Sequence, residues 1–139
     1  ASRLFDKLYV GIFYNREKSG FFRIEARERI VKEALRHLDN VEVITSQNEL
    51  AVTVASRIGA KTFVRGLRNN QDLDYETSMN FFNQELDSEL ETIFLLSKPA
   101  YQYISSSRIR ELIAFKQSIT PYVPQSVVRE IERELYEKD

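Results

Sequence analysis

The apolar positions of this chain change their period several times, and those changes mark out its elements. Residues 7–14, KLYVGIFY, are β-branched and aromatic and predict a buried strand. The polar stretch NREKSG at 15–20 reads as a loop. From Ile24 to Leu38 the residues Ile30, Val31, Ala34, Leu35 and Leu38 recur at helical spacing, with Glu28, Lys32, Arg36 and His37 on the opposite face. VEVIT at 41–45 predicts a second strand. Leu50, Ala51, Val54, Ala55 and Ile58 form another helical stripe, closed by Gly59. KTFV at 61–64 is a third strand, RGLRNNQ at 65–71 a loop, and 72–86 a helix. ETIFLL at 91–96 is a fourth strand, and a loop with Pro99 leads into a helix at 106–115. Val127, Val128, Ile131 and Leu135 mark a last helix after Pro124.

Strands thus alternate with helices four times. That order predicts an α/β fold: a Rossmann-like parallel sheet covered by helices on both faces. With 139 residues and no repeat or linker, the expectation is a single domain over 1–139. Ligands of such sheets sit beyond the carboxyl ends of the strands. The loops to watch are therefore 15–22, 46–49, 65–71 and 97–105.

Composition narrows the chemistry. Lys plus Arg number 20 and Asp plus Glu 21, a net charge near −1, so no general attraction to nucleic acid or an anionic membrane is expected. Cysteine is absent, which removes disulfides, thiolate catalysis and cysteine metal sites together. The chain has one histidine, so no metal site of its own is expected, and any metal would be a hard cation brought by phosphates. The longest apolar runs, such as IFLL at 93–96, are too short to span a bilayer.

Against this neutral background, cations and hydroxyls gather in the loops after strands. Lys18 lies in the first, and Arg65 and Arg68 lie in the third. Ser105, Ser106 and Ser107 end the last, with Arg108 and Arg110 behind them. Arginine offers a planar fork that fits phosphate oxygens, and lysine a point charge. The start of the helix after the serines adds backbone N–H groups and a partial positive charge. A parallel sheet would bring all of these to one edge, as a cradle for a polyphosphate. Plainer readings stand beside this one. A serine run before a helix is also an ordinary cap, and Arg65 and Arg68 could pair with Asp72, Asp74 or Glu76. His37 reads as a solvated surface residue. Phe81 and Phe82 read as core or a subunit contact rather than a stacking platform.

Several segments resemble a known family. ISSSRIR at 104–110 resembles the ISS[ST]xxR/K motif of nucleotidyltransferases of the HxGH type. VRGLRNNQDLDYE at 64–76 resembles a segment of one branch, the bacterial phosphopantetheine adenylyltransferases, and so does NREKSGFF at 15–22. NVEVI at 40–44 and ELAVTVASRIGAKTFVRG at 49–66 match the middle of that branch, so the similarity runs nearly end to end.

The resemblance implies transfer of AMP from ATP to 4′-phosphopantetheine, giving dephospho-coenzyme A and pyrophosphate. Lys18 and Arg65 would hold the acceptor phosphate, and Ala51 would lie along the pantetheine arm. Gly66, Leu67 and Arg68 would line the ATP site, with Arg68 on the phosphates; Lys18, Arg65 and Arg68 form the expected catalytic set. Glu76 matches a nucleotide-contacting glutamate. Tyr101, Gln102, Tyr103, Ile104, Ser105, Ser106 and Ser107 together would wrap the adenine and the distal phosphates. Magnesium would accompany ATP. A cytoplasmic homohexamer is implied, and coenzyme A as an inhibitor is left open. Two other readings remain: a related nucleotidyltransferase with a different phosphate acceptor, and a non-catalytic nucleotide-binding module.

The chain departs from the family pattern twice. The family opens with a strand, a glycine-rich turn and a T/HxGH motif, and this chain starts at ASRLFD, where the first helix would already be under way. That first strand lies mid-sheet, so without it two strands lose a hydrogen-bonding neighbour. The expectation is that roughly 20–25 further residues precede Ala1, and that these 139 residues alone fold poorly and are inactive. The second departure is Arg23, where the family usually has a helix-capping threonine; the lost hydroxyl costs roughly 0.5–2 kcal/mol.

Overall fold

The computed structural model describes residues 1–15, 17 and 20–137. The elements follow the expected order: β1 (Leu8–Tyr14), α1 (Ile24–Leu35), β2 (Val41–Gln47), α2 (Ala51–Ile58), β3 (Thr62–Leu67), α3 (Asn70–Leu86), β4 (Glu91–Leu96), α4 (Ser106–Ala114) and α5 (Gln125–Tyr136). A single 3-10 turn at Pro99–Tyr101 precedes α4. All strand pairing among the described residues is parallel, as the α/β reading requires. It forms two two-stranded sheets, β1–β2 and β3–β4. The chain divides accordingly into two compact units, residues 49–103 with Ala1 and residues 2–48 with 104–139.

In the first unit, β3 and β4 run in unbroken register from Thr62 opposite Glu91 to Leu67 opposite Leu96. Val52, Ala55 and Leu90 form the core, with Ala60 and Phe63 packed against it. Val54 and Ala55 of the expected stripe are buried, while Leu50 is exposed because it is the N-cap of α2. Gly59 ends α2 in the left-handed region (φ 74°), where a side chain would be strained. Strand β3 is longer than the apolar run at 61–64 predicts: Arg65, Gly66 and Leu67 continue the ladder opposite Phe94, Leu95 and Leu96. α3 also begins earlier than expected, at Asn70, because the Asn69 side chain caps it by accepting from the Asp72 N–H at 2.9 Å. Only Arg68 and Asn69 therefore separate strand from helix. On α3, Phe81 and Phe82 pack edge to face at 5.3 Å and are each 60% exposed, so they are not core in this chain.

In the second unit, β1 and β2 pair from Leu8 opposite Val41 to Tyr14 opposite Gln47, and α1 packs on both strands and on α5. Ile12, Ala26 and Ile119 are buried. The Asn40 side chain donates to the Ser2 and Phe5 carbonyls at 2.7 and 2.9 Å, tying down the first residues. Helix α1 ends at Leu35, three residues short of the predicted span, where Leu38 N–H bonds the Leu35 carbonyl and tightens the last turn. Its N-cap is Arg23, with no side-chain cap hydrogen bond, as the sequence implies.

The α5 face differs from expectation. Its most buried residues are Ser126 and Glu130, each 5% exposed, while Leu135 is largely solvated. Arg29 of α1 supplies the countercharge: both Glu130 oxygens accept from its guanidinium, and Arg129 pairs with Glu33 across the same two helices. A carboxylate tolerates burial when it is paired and hydrogen-bonded in this way.

Candidate functional site

The carboxyl end of β3 holds the strongest cationic feature of the first unit. Arg65, Gly66 and Leu67 end the strand, and Arg68 follows at once. Arg65 Nε and Nη2 donate to Glu76 Oε2 and Oε1 at 2.9 and 2.7 Å, a two-point fork. The Glu76 side chain is only 10% exposed, against 53% for Arg65. Buried carboxylate and half-exposed guanidinium thus form an anchor with a solvent-facing cation. An arginine has five N–H groups. Three of Arg65's remain unengaged among the described residues, so the ion pair and a phosphate contact are compatible.

Arg68 is held by its own helix start. Asp72 Oδ2 accepts from the Arg68 backbone N–H at 2.9 Å and from Nε at 3.0 Å, and Oδ1 accepts from Nη2 at 3.2 Å. These bonds, the side-chain one first, pull the Asp72 carboxyl below its ordinary range. The same contacts hold the Arg68 guanidinium still more firmly protonated, and Glu76 does so for Arg65. The structure thus shows the salt-bridge reading of these arginines: both are paired, and the pairing orients them.

A Cβ at Gly66 would meet the Leu95 carbonyl oxygen at 4.0 Å, an ordinary van der Waals contact. Packing within the chain does not demand a glycine there. Ala51 is the first residue of α2. Tyr101 ends the 3-10 turn after β4, and it and Tyr103 are well exposed, with Gln102 between them.

In the second unit, the serine run divides its roles. Ser105 is the N-cap of α4, its Oγ accepting from Arg108 N–H at 3.2 Å. Ser107 Oγ accepts from Arg110 Nη2 at 3.2 Å, and Arg108 pairs with Glu111 at 2.8 Å. The Ser106 hydroxyl makes no hydrogen bond among the described residues, so one of three serines is accounted for by capping alone. Ile104 precedes the cap. Lys18 lies outside the described residues. Among the described residues, no three His, Asp or Glu side chains converge in a metal-binding group.

Comparison with known proteins gives the family of the chain. A family model described as cytidylyltransferase-like matches residues 1–112. The phosphopantetheine adenylyltransferase of Streptococcus gordonii is 84% identical over 139 residues, covering 100% of this chain and 85% of the relative. That of Streptococcus sanguinis is 83% identical over 133 residues, 96% of this chain and 81% of the relative. That of a serotype Ia strain of Streptococcus agalactiae is 55% identical over 133 residues, 96% and 83% of the two chains. The chain belongs to the phosphopantetheine adenylyltransferase family. For a member of this family, Asp72 is the residue that sequence reasoning weighed only as an ion-pair partner. Its spacing of four from Arg68 at a helix start was the available signal.

Proposed function

We propose that the two arginines at the end of β3 are the phosphate-handling groups of this enzyme, Arg65 for the acceptor and Arg68 for ATP. The enzyme transfers AMP from ATP to 4′-phosphopantetheine in coenzyme A biosynthesis. An acceptor phosphate oxygen attacks the α-phosphorus of ATP in line. The bond from that phosphorus to the bridging oxygen breaks, and pyrophosphate leaves with the electron pair. No protein nucleophile is needed, so catalysis is positioning plus stabilisation of charge on the phosphoryl oxygens.

The observation that carries this reading is the pair of oriented guanidiniums, each fixed by a carboxylate, at the carboxyl end of one strand. Gly66 and Leu67 are proposed to line ATP beside Arg68, Glu76 to contact the nucleotide, Tyr101–Ser107 to follow its adenine and distal phosphates, and Ala51 to follow the pantetheine arm. Lys18 would join Arg65. Magnesium would arrive on the phosphates of ATP as part of the substrate, since both acidic side chains beside the arginines are engaged by them. No helix among the described residues is long and apolar enough to cross a membrane, and a cytoplasmic location is proposed. The exposed Phe81, Phe82 and Leu86 on α3 support a contact between copies of the chain, and a homohexamer is proposed, which light scattering on the natural protein would test. Coenzyme A, which carries the same arm, is a proposed inhibitor.

The test is adenylylation with the natural protein, comparing phosphopantetheine with pantetheine. Pantetheine lacks the phosphate and should be a very poor acceptor; equal turnover with both would overturn the acceptor assignment.

A further inference from the structure

Asp72 sits outside every residue assigned a substrate contact above, yet it makes more bonds to the region than any ligand contact requires. It accepts from Arg68 at three nitrogens, one backbone and two on the guanidinium, while its own N–H is held by Asn69. The backbone bond ties the last turn of chain after β3 to the first turn of α3. The guanidinium bonds fix χ angles that an unpaired arginine samples freely, a freedom worth much conformational entropy. Asn69 already caps the helix start by accepting from the Asp72 N–H, and the bonds from Asp72 to the Arg68 guanidinium satisfy no N–H of the helix, so they add nothing to capping. We infer that Asp72 is a positioning residue, which presets the Arg68 guanidinium for the phosphates of ATP. This rests on the assignment of Arg68 to ATP. Its chemistry suits the task, because a carboxylate that is itself committed to the arginine neither repels the incoming phosphates as a free anion would nor competes for a metal on them.

The experiment is steady-state kinetics on the natural protein with Asp72→Asn, Asp72→Glu, Arg68→Ala and the Arg68→Ala/Asp72→Asn pair, with a thermal melt of each. Asparagine keeps an acceptor for the backbone N–H but loses the two-oxygen charged fork. Asp72→Asn should raise KM for ATP or lower kcat/KM for ATP by roughly threefold to thirtyfold, within the range a small misplacement costs, with KM for phosphopantetheine unchanged. Asp72→Glu retains the charge one methylene further out and should recover part of the loss. The pair should be no worse than Arg68→Ala alone, because coupled residues are not additive. If Arg68→Ala impairs ATP use while Asp72→Asn does not, the positioning role is wrong and the Arg68 assignment stands. Additive losses in the pair would also overturn it. Normal ATP use by Arg68→Ala would remove the Arg68 assignment, and this inference with it. Should Asp72→Asn melt early, Asp72→Glu decides: an intact fold with no recovery of ATP use over Asp72→Asn refutes positioning by the carboxylate.

Discussion

Replacing Arg65 with alanine should injure the protein in two separable ways. The Glu76 carboxylate is 10% exposed and takes two charge-assisted hydrogen bonds from Arg65, at 2.7 and 2.9 Å. Removing the guanidinium strands that carboxylate in a site where water reaches it poorly. An unsatisfied buried polar group costs about 1–3 kcal/mol. Arg65 is half exposed, and its removal opens a path for water, so the lower part of that range applies, about 1–2 kcal/mol. For a chain of this size that is a fall in Tm of roughly 3–8 °C. The functional loss should be larger. A charged contact to phosphate is worth about 1.5–3 kcal/mol, so kcat/KM for phosphopantetheine should fall by about one to two decades. KM for ATP should move little. Adding Glu76→Leu removes the stranded carboxylate, and replacing both partners by apolar groups is close to neutral. The Arg65→Ala/Glu76→Leu pair should therefore regain most of the lost Tm and none of the lost activity. Recovery of activity along with Tm would show that Arg65 acts only on the fold. Normal phosphopantetheine kinetics in Arg65→Ala would refute the phosphate contact outright.

Three other perturbations test the local physics. Gly66→Ala should leave Tm within about 1 °C, because a Cβ there meets nothing closer than an ordinary contact at 4.0 Å, yet it should weaken ATP use at least about fivefold if nucleotide packs on that backbone, the effect of roughly 1 kcal/mol of crowding; unchanged kinetics would remove Gly66 from the site. Arg23→Thr should raise stability by roughly 0.5–1 kcal/mol by restoring the missing cap of α1, read as a higher urea midpoint at unchanged slope. Arg29 holds the Glu130 carboxyl below its ordinary value of 4.5, so the pair stabilises the fold above that pH and its contribution is lost as the medium is acidified through the lowered value. Glu130→Gln should thus lower Tm at pH 7, with the gap to wild type closing below about pH 4.5; a gap independent of pH would contradict the pairing.

Much of this protein is legible one element at a time. β-branched and apolar runs and helical stripes separate four strands from five helices in the sequence, because strand and helix repeat their apolar residues differently. Gly59 and Arg23 are equally local: a left-handed cap and a missing hydroxyl depend on one residue and its immediate backbone. The cations of the β3 end and the serines before α4 are also visible, since each cluster is contiguous in the chain. Element edges were less legible. The ladder opposite β4 carries Arg65 into strand β3, and Asn69 advances the start of α3, so a loop of seven shrinks to two residues.

Tertiary structure alone decided which charges meet. The sequence offered Asp72, Asp74 and Glu76 to Arg65 and Arg68, and the fold gives Arg65 the glutamate eleven residues on; Arg29 and Glu130 are one hundred and one apart, a spacing with no periodicity that a reader of the sequence could use. The same holds for Ser126 and Glu130, which the pattern of Val127, Val128, Ile131 and Leu135 places outward and the structure turns inward. An apolar stripe predicts burial because water is costly to apolar surface from any neighbour. A buried charge is stable only against a particular partner at hydrogen-bond distance, and that partner is chosen by the fold.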